Sequence, residues 1–188
     1  MRIILASKSP RRRELLLEKY PDFEIIVADC DESLPDGTPT RRGVELLAVR
    51  KGDAVVPVCG DEALIISSDT LVELDGEALG KPKDDPDAYR MLKNLSGRIN
   101  YVHTGVAVHY HGKTLSGVAT TAVKFRELSD SEIWEYVNSG EPRDKAGAYG
   151  IQSGAGHFVE SLDGDFDTVV GLSMRLLDKL IHEITESF

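Results

Sequence analysis

Cysteine is nearly missing from this chain: its 188 residues include two, Cys30 and Cys59, far apart and in no CxxC pair. Neither a disulfide framework nor a thiolate zinc centre is expected, and a reducing cytoplasm fits best. Long apolar runs are missing too, since none approaches the ~20 residues that a membrane helix needs. The N-terminal apolar stretch, Ile3 to Ala6, leads straight into basic residues, which is the wrong order for a secretory signal. Positive charge is in deficit, with 22 Lys and Arg against 32 Asp and Glu and a formal net charge of -10. That balance argues against a broad basic face for nucleic acid but leaves room for a small anion in a local basic pocket. There is no P-loop, no HExxH, no properly flanked G-x-G-x-x-G and no internal repeat. Asp69-Thr70-Leu71 lacks the second aspartate of a phosphoaspartyl phosphatase, which disfavours a covalent phosphoenzyme.

What is present alternates between strand-like and helical patterns. Strands are expected at Arg2 to Ala6, Phe23 to Ala28, Ala63 to Ser68, Tyr101 to His109, Val118 to Arg126 and His157 to Leu162. Helices are expected at Pro10 to Lys19, Arg41 to Val55, Pro86 to Leu95, Asp130 to Asn138 and Gly171 to Glu186, with Ser129 and Glu132 as a capping box for the fourth. Asp75-Gly76 and Gly112-Lys113 mark hairpins, so the fold class is α/β with a mixed sheet and flanking helices, in one domain over 1–188 or two lobes sharing a sheet. His109 and His111 alternate on one strand face and are expected at the surface.

Four places carry candidate chemistry. In Leu5-Ala6-Ser7-Lys8-Ser9-Pro10-Arg11-Arg12-Arg13 a short strand runs into a helix with Ser9 as N-cap and Pro10 in the first turn, so free N–H groups and arginine forks face any anion there. The alternative is a capped surface helix with a solvated basic turn. Lys51 falls in the middle of the stripe Val44, Leu47, Ala48 and Val55; it either snorkels out of the apolar face or delivers an ammonium into a cleft where a phosphate compensates its desolvation. Asp69 lies in the apolar run from Leu64 to Val72, where it either caps a turn or stands at the carboxyl end of a buried strand, able to hold a cation or accept a proton from water. The irregular, glycine-rich stretch Glu141 to Gly156 is a candidate binding loop, in which small residues permit close approach and Gln152 offers both a donor and an acceptor to a base edge.

These blocks, with Glu14-Leu15-Leu16, Gly80-Lys81-Pro82, Leu95-Ser96-Gly97, Thr104-Gly105-Val106, Glu141-Pro142 and Gly171-Leu172, resemble the Maf family in order and spacing over essentially the whole chain. The resemblance implies a nucleoside triphosphate pyrophosphatase with a fold like that of inosine triphosphate pyrophosphatases, two lobes around a cleft. It also implies a divalent cation, Mg²⁺ or Mn²⁺, a homodimer in the cytoplasm, and links to nucleotide-pool cleaning and septum formation arrest, while charge and composition speak against nucleic acid and membrane as partners. By position, Asp69 matches the general base, and Arg11, Thr70 and Gln152 match positions tied to substrate choice. Ser7, Arg12, Glu32, Lys51 and Lys81 match the polar lining of the cleft. Arg11, Arg12, Lys51 and Lys81 are thus expected on the triphosphate, with Asp69 and Glu32 as carboxylates for the cation. The unbroken run Asp144 to Gln152 is similar to the subgroup acting on dTTP and UTP. Asn100, Ser153 and Ser173 depart from the family pattern, the last changing only a helix start. A non-catalytic nucleotide-binding regulator of cell division is the alternative.

Overall fold

The computed structural model describes residues 1–60 and 62–187. Among these the strands are β1 (Ile3–Leu5), β2 (Glu24–Ile25), β3 (Leu64–Leu74), β4 (Glu77–Leu79), β5 (Ile99–Tyr110), β6 (Lys113–Phe125) and β7 (Val159–Asp163). The helices are α1 (Pro10–Leu17), α2 (Thr40–Asp53), α3 (Val56–Cys59), α4 (Asp85–Leu95), α5 (Asp130–Asn138), α6 (Phe166–Val170) and α7 (Met174–Thr185). The strands form one sheet of order β2-β1-β3-β5-β6-β7, with β4 paired to β3. It is mixed, as expected: β1 runs parallel to β2 and β3, while β3–β4 and β6–β7 are antiparallel.

The chain divides into two compact units. The first comprises Met1–Asp69, Thr104–Ala119 and Gly171–Phe188. Both faces of its parallel strands are buried: Ile4, Ala6, Ala63 and Ile65 join Val55 in one cluster, and the alternate residues Leu5, Leu64 and Ile66 are fully buried too. Burial on both sides is why these strands read as continuous apolar runs. Helix α7 buries Leu177, Leu180, Ile181 and Ile184, a single helical stripe. It starts later than expected because Ser173 caps it, accepting from Leu176 N. Residues 171–172 stay outside the helix, and α6, which the sequence pattern did not announce, precedes them.

The second unit comprises Thr70–His103 and Thr120–Val170. Its core gathers Leu92 and Leu95 of α4, Ile133 and Val137 of α5, Val102, Val123 and Phe125 of the sheet, and Tyr149 and Phe158. The expected capping box is present at α5: Ser129 accepts from Glu132 N, and the Glu132 carboxylate accepts from Ser129 N at 3.0 Å. Three 3-10 turns, Glu141–Asp144, Ala146–Ala148 and Gly154–Phe158, punctuate the stretch expected to be irregular, and residues 149–153 stay outside them.

Two expectations fail instructively. β3 runs to Leu74, so Asp69 stands inside a strand and neither ends it nor caps a turn. His109 is buried, whereas His111 occupies the hairpin turn with φ 47°. Alternation misled here because α2 covers that face of β5. The approach is close enough that a Cβ on Gly52 would fall on the His109 ring and reach 2.7 Å from Ser67 Oγ, which itself donates to Ala48 O. His109 Nδ1 lies 3.0 Å from Thr114 Oγ1 and 3.4 Å from Asp53 Oδ1. These residues also line a cavity of about 240 Å³, with Val56, Pro57 and Ile65, that includes none of the candidate site residues.

Gly52→Ala should lower stability by about 1–3 kcal/mol, although alanine is the better helix former, because the added methyl has nowhere to go. An unchanged denaturation midpoint would overturn this packing account. Burial also pushes the His109 pKa below its ordinary 6.5, against the opposing pull of Asp53. The unfolded chain therefore takes up the proton first, and the stability contributed by neutral His109 is present above about pH 6.5 and lost as pH falls through its folded value. The melting temperature should drop between pH 7 and 5, and His109→Asn should flatten that slope.

Candidate active site

Within the first unit, four segments bring charged groups together. Ser9 caps α1 as the sequence suggests, its side chain accepting from Arg12 N. Just before it, Ser7 is buried two residues beyond β1 and accepts from Ser9 N at 3.2 Å and from Arg12 at 3.3 Å. Arg12 also donates through Nε to Gly171 O at 2.8 Å. Two of its donors are thus fixed by groups that a lysine could not satisfy together. Burial lowers the Arg12 pKa, Arg11 lowers it further, and Asp69 and Glu32 pull it back up, which places these four charges in one field.

The last turn of α2 supplies Lys51. Its ammonium lies 2.5 Å from Asp69 Oδ1 and 3.2 Å from Glu32 Oε1. The Lys51 and Asp69 side chains are only 19% and 13% exposed, while Glu32 is 62% exposed. Lys51 therefore does not snorkel into solvent; it is paired beneath the surface. Removing one member of such a pair leaves an uncompensated charge, at a cost of about 3–5 kcal/mol when burial is complete.

Gly171 ties the arginine to the aspartate's strand. Its carbonyl accepts from Arg12 and also from Ser68 Oγ at 2.9 Å, next to Asp69. The residue sits at φ 129°, a conformation open to glycine and strained for any side chain. Sequence reasoning passed over this acceptor because a backbone oxygen leaves no residue signature; the only signal was the Gly171-Leu172 pair.

The sequence model of the family described as Maf-like protein matches residues 2–184. The chain belongs to the Maf family. It is 48% identical over 178 residues to a protein of Thermococcus gammatolerans named dTTP/UTP pyrophosphatase, covering 95% of this chain and 94% of that one. A Vibrio cholerae protein of the same name is 44% identical over 182 residues, covering 97% of each. Among solved structures, the Ham1 protein of Staphylococcus aureus aligns with TM-score 0.52 at 16% identity, covering 100% of this chain and 99% of that one, which supports the α/β fold alone.

In this Maf chain, Ser7, Arg12, Glu32, Lys51 and Asp69 meet in the first unit, with Arg11 half-buried on the same helix. Thr70, Lys81 and Gln152 belong to the second unit, Thr70 half-buried and the other two exposed. There, Gly147 N donates to Gly80 O at 3.0 Å, which joins the Lys81 turn to the segment that carries Gln152. Among the described residues no group of three or more His, Cys, Asp or Glu could hold a metal ion.

Arg12→Lys should keep the fold but lower kcat/KM by about tenfold or more, since a charge-assisted hydrogen bond contributes about 1.5–3 kcal/mol and lysine cannot reach both Ser7 and Gly171. Wild-type kinetics in a normally folded variant would show that the fork geometry is irrelevant.

Proposed function

We propose that this chain is a nucleoside triphosphate pyrophosphatase that cleaves dTTP and UTP to the monophosphate and pyrophosphate. The observation that carries the reading is Lys51 joined to Asp69 and Glu32 beside an Arg12 held by Gly171 and Ser7, in a chain 42–48% identical to proteins named dTTP/UTP pyrophosphatase. A protein of net charge -10 repels a polyanion at long range, so local cations must hold it. Arg11, Arg12, Lys51 and Lys81 are the groups we assign to the phosphates.

Asp69 is assigned the water. As the water oxygen bonds to phosphorus and the α–β bridging P–O bond breaks, the proton goes to the Asp69 carboxylate and the electron pair leaves with pyrophosphate. Lys51, at Oδ1, holds that carboxylate in place. Positioning and charge neutralisation by Arg12 and the lysines supply most of the acceleration, as is general for phosphoryl transfer.

The residues fit a divalent cation of one kind. Two carboxylates, Asp69 and Glu32, share Lys51 and offer hard oxygen donors, too few for a cage built wholly of protein but suited to Mg²⁺ or Mn²⁺, which complete their shells with water and phosphate oxygens. A cation held by Asp69 and Glu32 would neutralise phosphate charge and lower the pKa of water beside it. The homodimer, the cytoplasmic setting, nucleotide-pool cleaning and the link to septum formation belong to the same reading and rest on the family. No helix of the described residues is long and apolar enough to cross a membrane.

The test is pyrophosphate release from a panel of triphosphates with Mg²⁺. Release should be fastest with dTTP and UTP, and Asp69→Asn should abolish it while nucleotide affinity stays within about tenfold. Turnover of the variant above a tenth of wild type would remove Asp69 from its role. Nucleotide-dependent thermal stabilisation without any release would favour the regulator instead.

A further inference from the structure

We propose that Asn100 and Tyr149 form a buried clamp that determines specificity by fixing where the segment from 146 to 152 holds its base-reading groups. Asn100 is fully buried and satisfied at both ends: Nδ2 donates to Val123 O at 3.1 Å, and Oδ1 accepts from the Tyr149 hydroxyl at 2.8 Å. Tyr149 is itself buried, its ring meeting Phe125 edge-on at 4.8 Å, and burial raises its hydroxyl pKa far above the ordinary 10, so it stays a donor.

The segment needs holding. Ala148 sits at φ 62°, a left-handed conformation that costs a residue with a Cβ on the order of 1 kcal/mol and persists only where surrounding contacts over-determine it. Two further hydrogen bonds fix the backbone on either side of Gln152. Gly150 N donates to the Tyr136 hydroxyl at 3.2 Å, and Gly154 N donates to Glu141 Oε2 at 3.1 Å. Between these fixed points Gln152 is exposed.

Burial alone does not explain the pair. A phenylalanine facing a small apolar residue would fill the same space without desolvating an amide and a hydroxyl, and a buried neutral hydrogen bond adds little net stability. What the bond adds is direction: the Tyr149 side chain can neither swing about χ1 nor slide without leaving a buried acceptor unpaired. A hydrogen-bonding group that distinguishes one base edge from another must be held to within about 0.5 Å of its working position. Asn100, one of the family departures, acts in this account as a positioning residue through Tyr149.

The inference rests on the proposed pyrimidine triphosphate activity, and the test separates the two. Tyr149→Phe and Asn100→Ala approach the bond from its two ends; each is assayed for kcat/KM on dTTP, UTP, CTP and GTP, beside Gln152→Ala and with the melting temperature recorded. Tyr149→Phe should cut the preference of the best substrate over CTP by about tenfold while its kcat changes less than about threefold, and the double variant should cut it no further than the single ones. A purely structural bond would lower the melting temperature and scale all substrates alike, which overturns the clamp. So does an unchanged preference in Tyr149→Phe while Gln152→Ala shifts it. If one variant fails to fold, the other end of the bond decides. If Tyr149→Phe shifts the preference and Gln152→Ala does not, the clamp stands and the reading of Gln152 falls. If the wild type releases no pyrophosphate from any triphosphate, the proposed function and the clamp fall together, whereas a wild type that turns over all four equally keeps the activity and overturns the clamp.

Discussion

A lysine ammonium and an aspartate carboxylate, both mostly removed from water, stand 2.5 Å apart on α2 and β3, and the chemistry assigned to the first unit depends on keeping them so. Each charge offsets much of the other's desolvation, with Glu32 as a second partner for Lys51. The apolar strands that bury Asp69 also exclude the solvent that would otherwise screen its interactions with Arg12 and Lys51. Placing Lys51 within an apolar helical stripe is what lets its ammonium meet a carboxylate on a buried strand, so the feature that looked anomalous in the sequence follows from the position of its partner. Glu32, on an exposed segment, adds a second carboxylate without a second desolvation cost.

The same economy appears at Gly171. One carbonyl accepts from Arg12, on the first helix, and from Ser68, on the third strand, and so sets the arginine's position relative to Asp69 without a further charge. An acidic side chain in that place would compete with a phosphate for Arg12. A backbone carbonyl orients the guanidinium and leaves its charge available, which suits the phosphate role proposed for Arg12 in a protein of net charge -10.

Local signals were legible where local physics decides. The Ser9 cap, the α5 capping box and the Asp75-Gly76 hairpin all follow from short-range chemistry and stand where the sequence puts them. What was not legible depends on distant partners. His109 looked like a surface residue until Gly52 of α2 covered it, and Asp69 looked like a strand terminus because aspartate disfavours strands, a preference overridden by Lys51. Of the candidate residues, the cations and carboxylates were visible as types in a recognisable order. The Gly171 acceptor and the Asn100–Tyr149 bond were not, because one is backbone and the other joins residues 49 apart in the sequence.

Every nucleoside triphosphate carries the same phosphate chain, so the ionic cluster of Arg12, Lys51, Asp69 and Glu32 cannot by itself tell one nucleotide from another. Discrimination has to come from neutral, directional groups that meet the base, where a mismatch leaves a donor or acceptor unpaired. The Lys51 ion pairs lie in the first unit and the Asn100–Tyr149 hydrogen bond in the second. The boundary between them falls within β3, with Asp69 the last residue of one and Thr70 the first of the other. Substitutions at Tyr149 or Asn100 therefore touch none of the charges assigned to the phosphates, Lys81 of the same unit included.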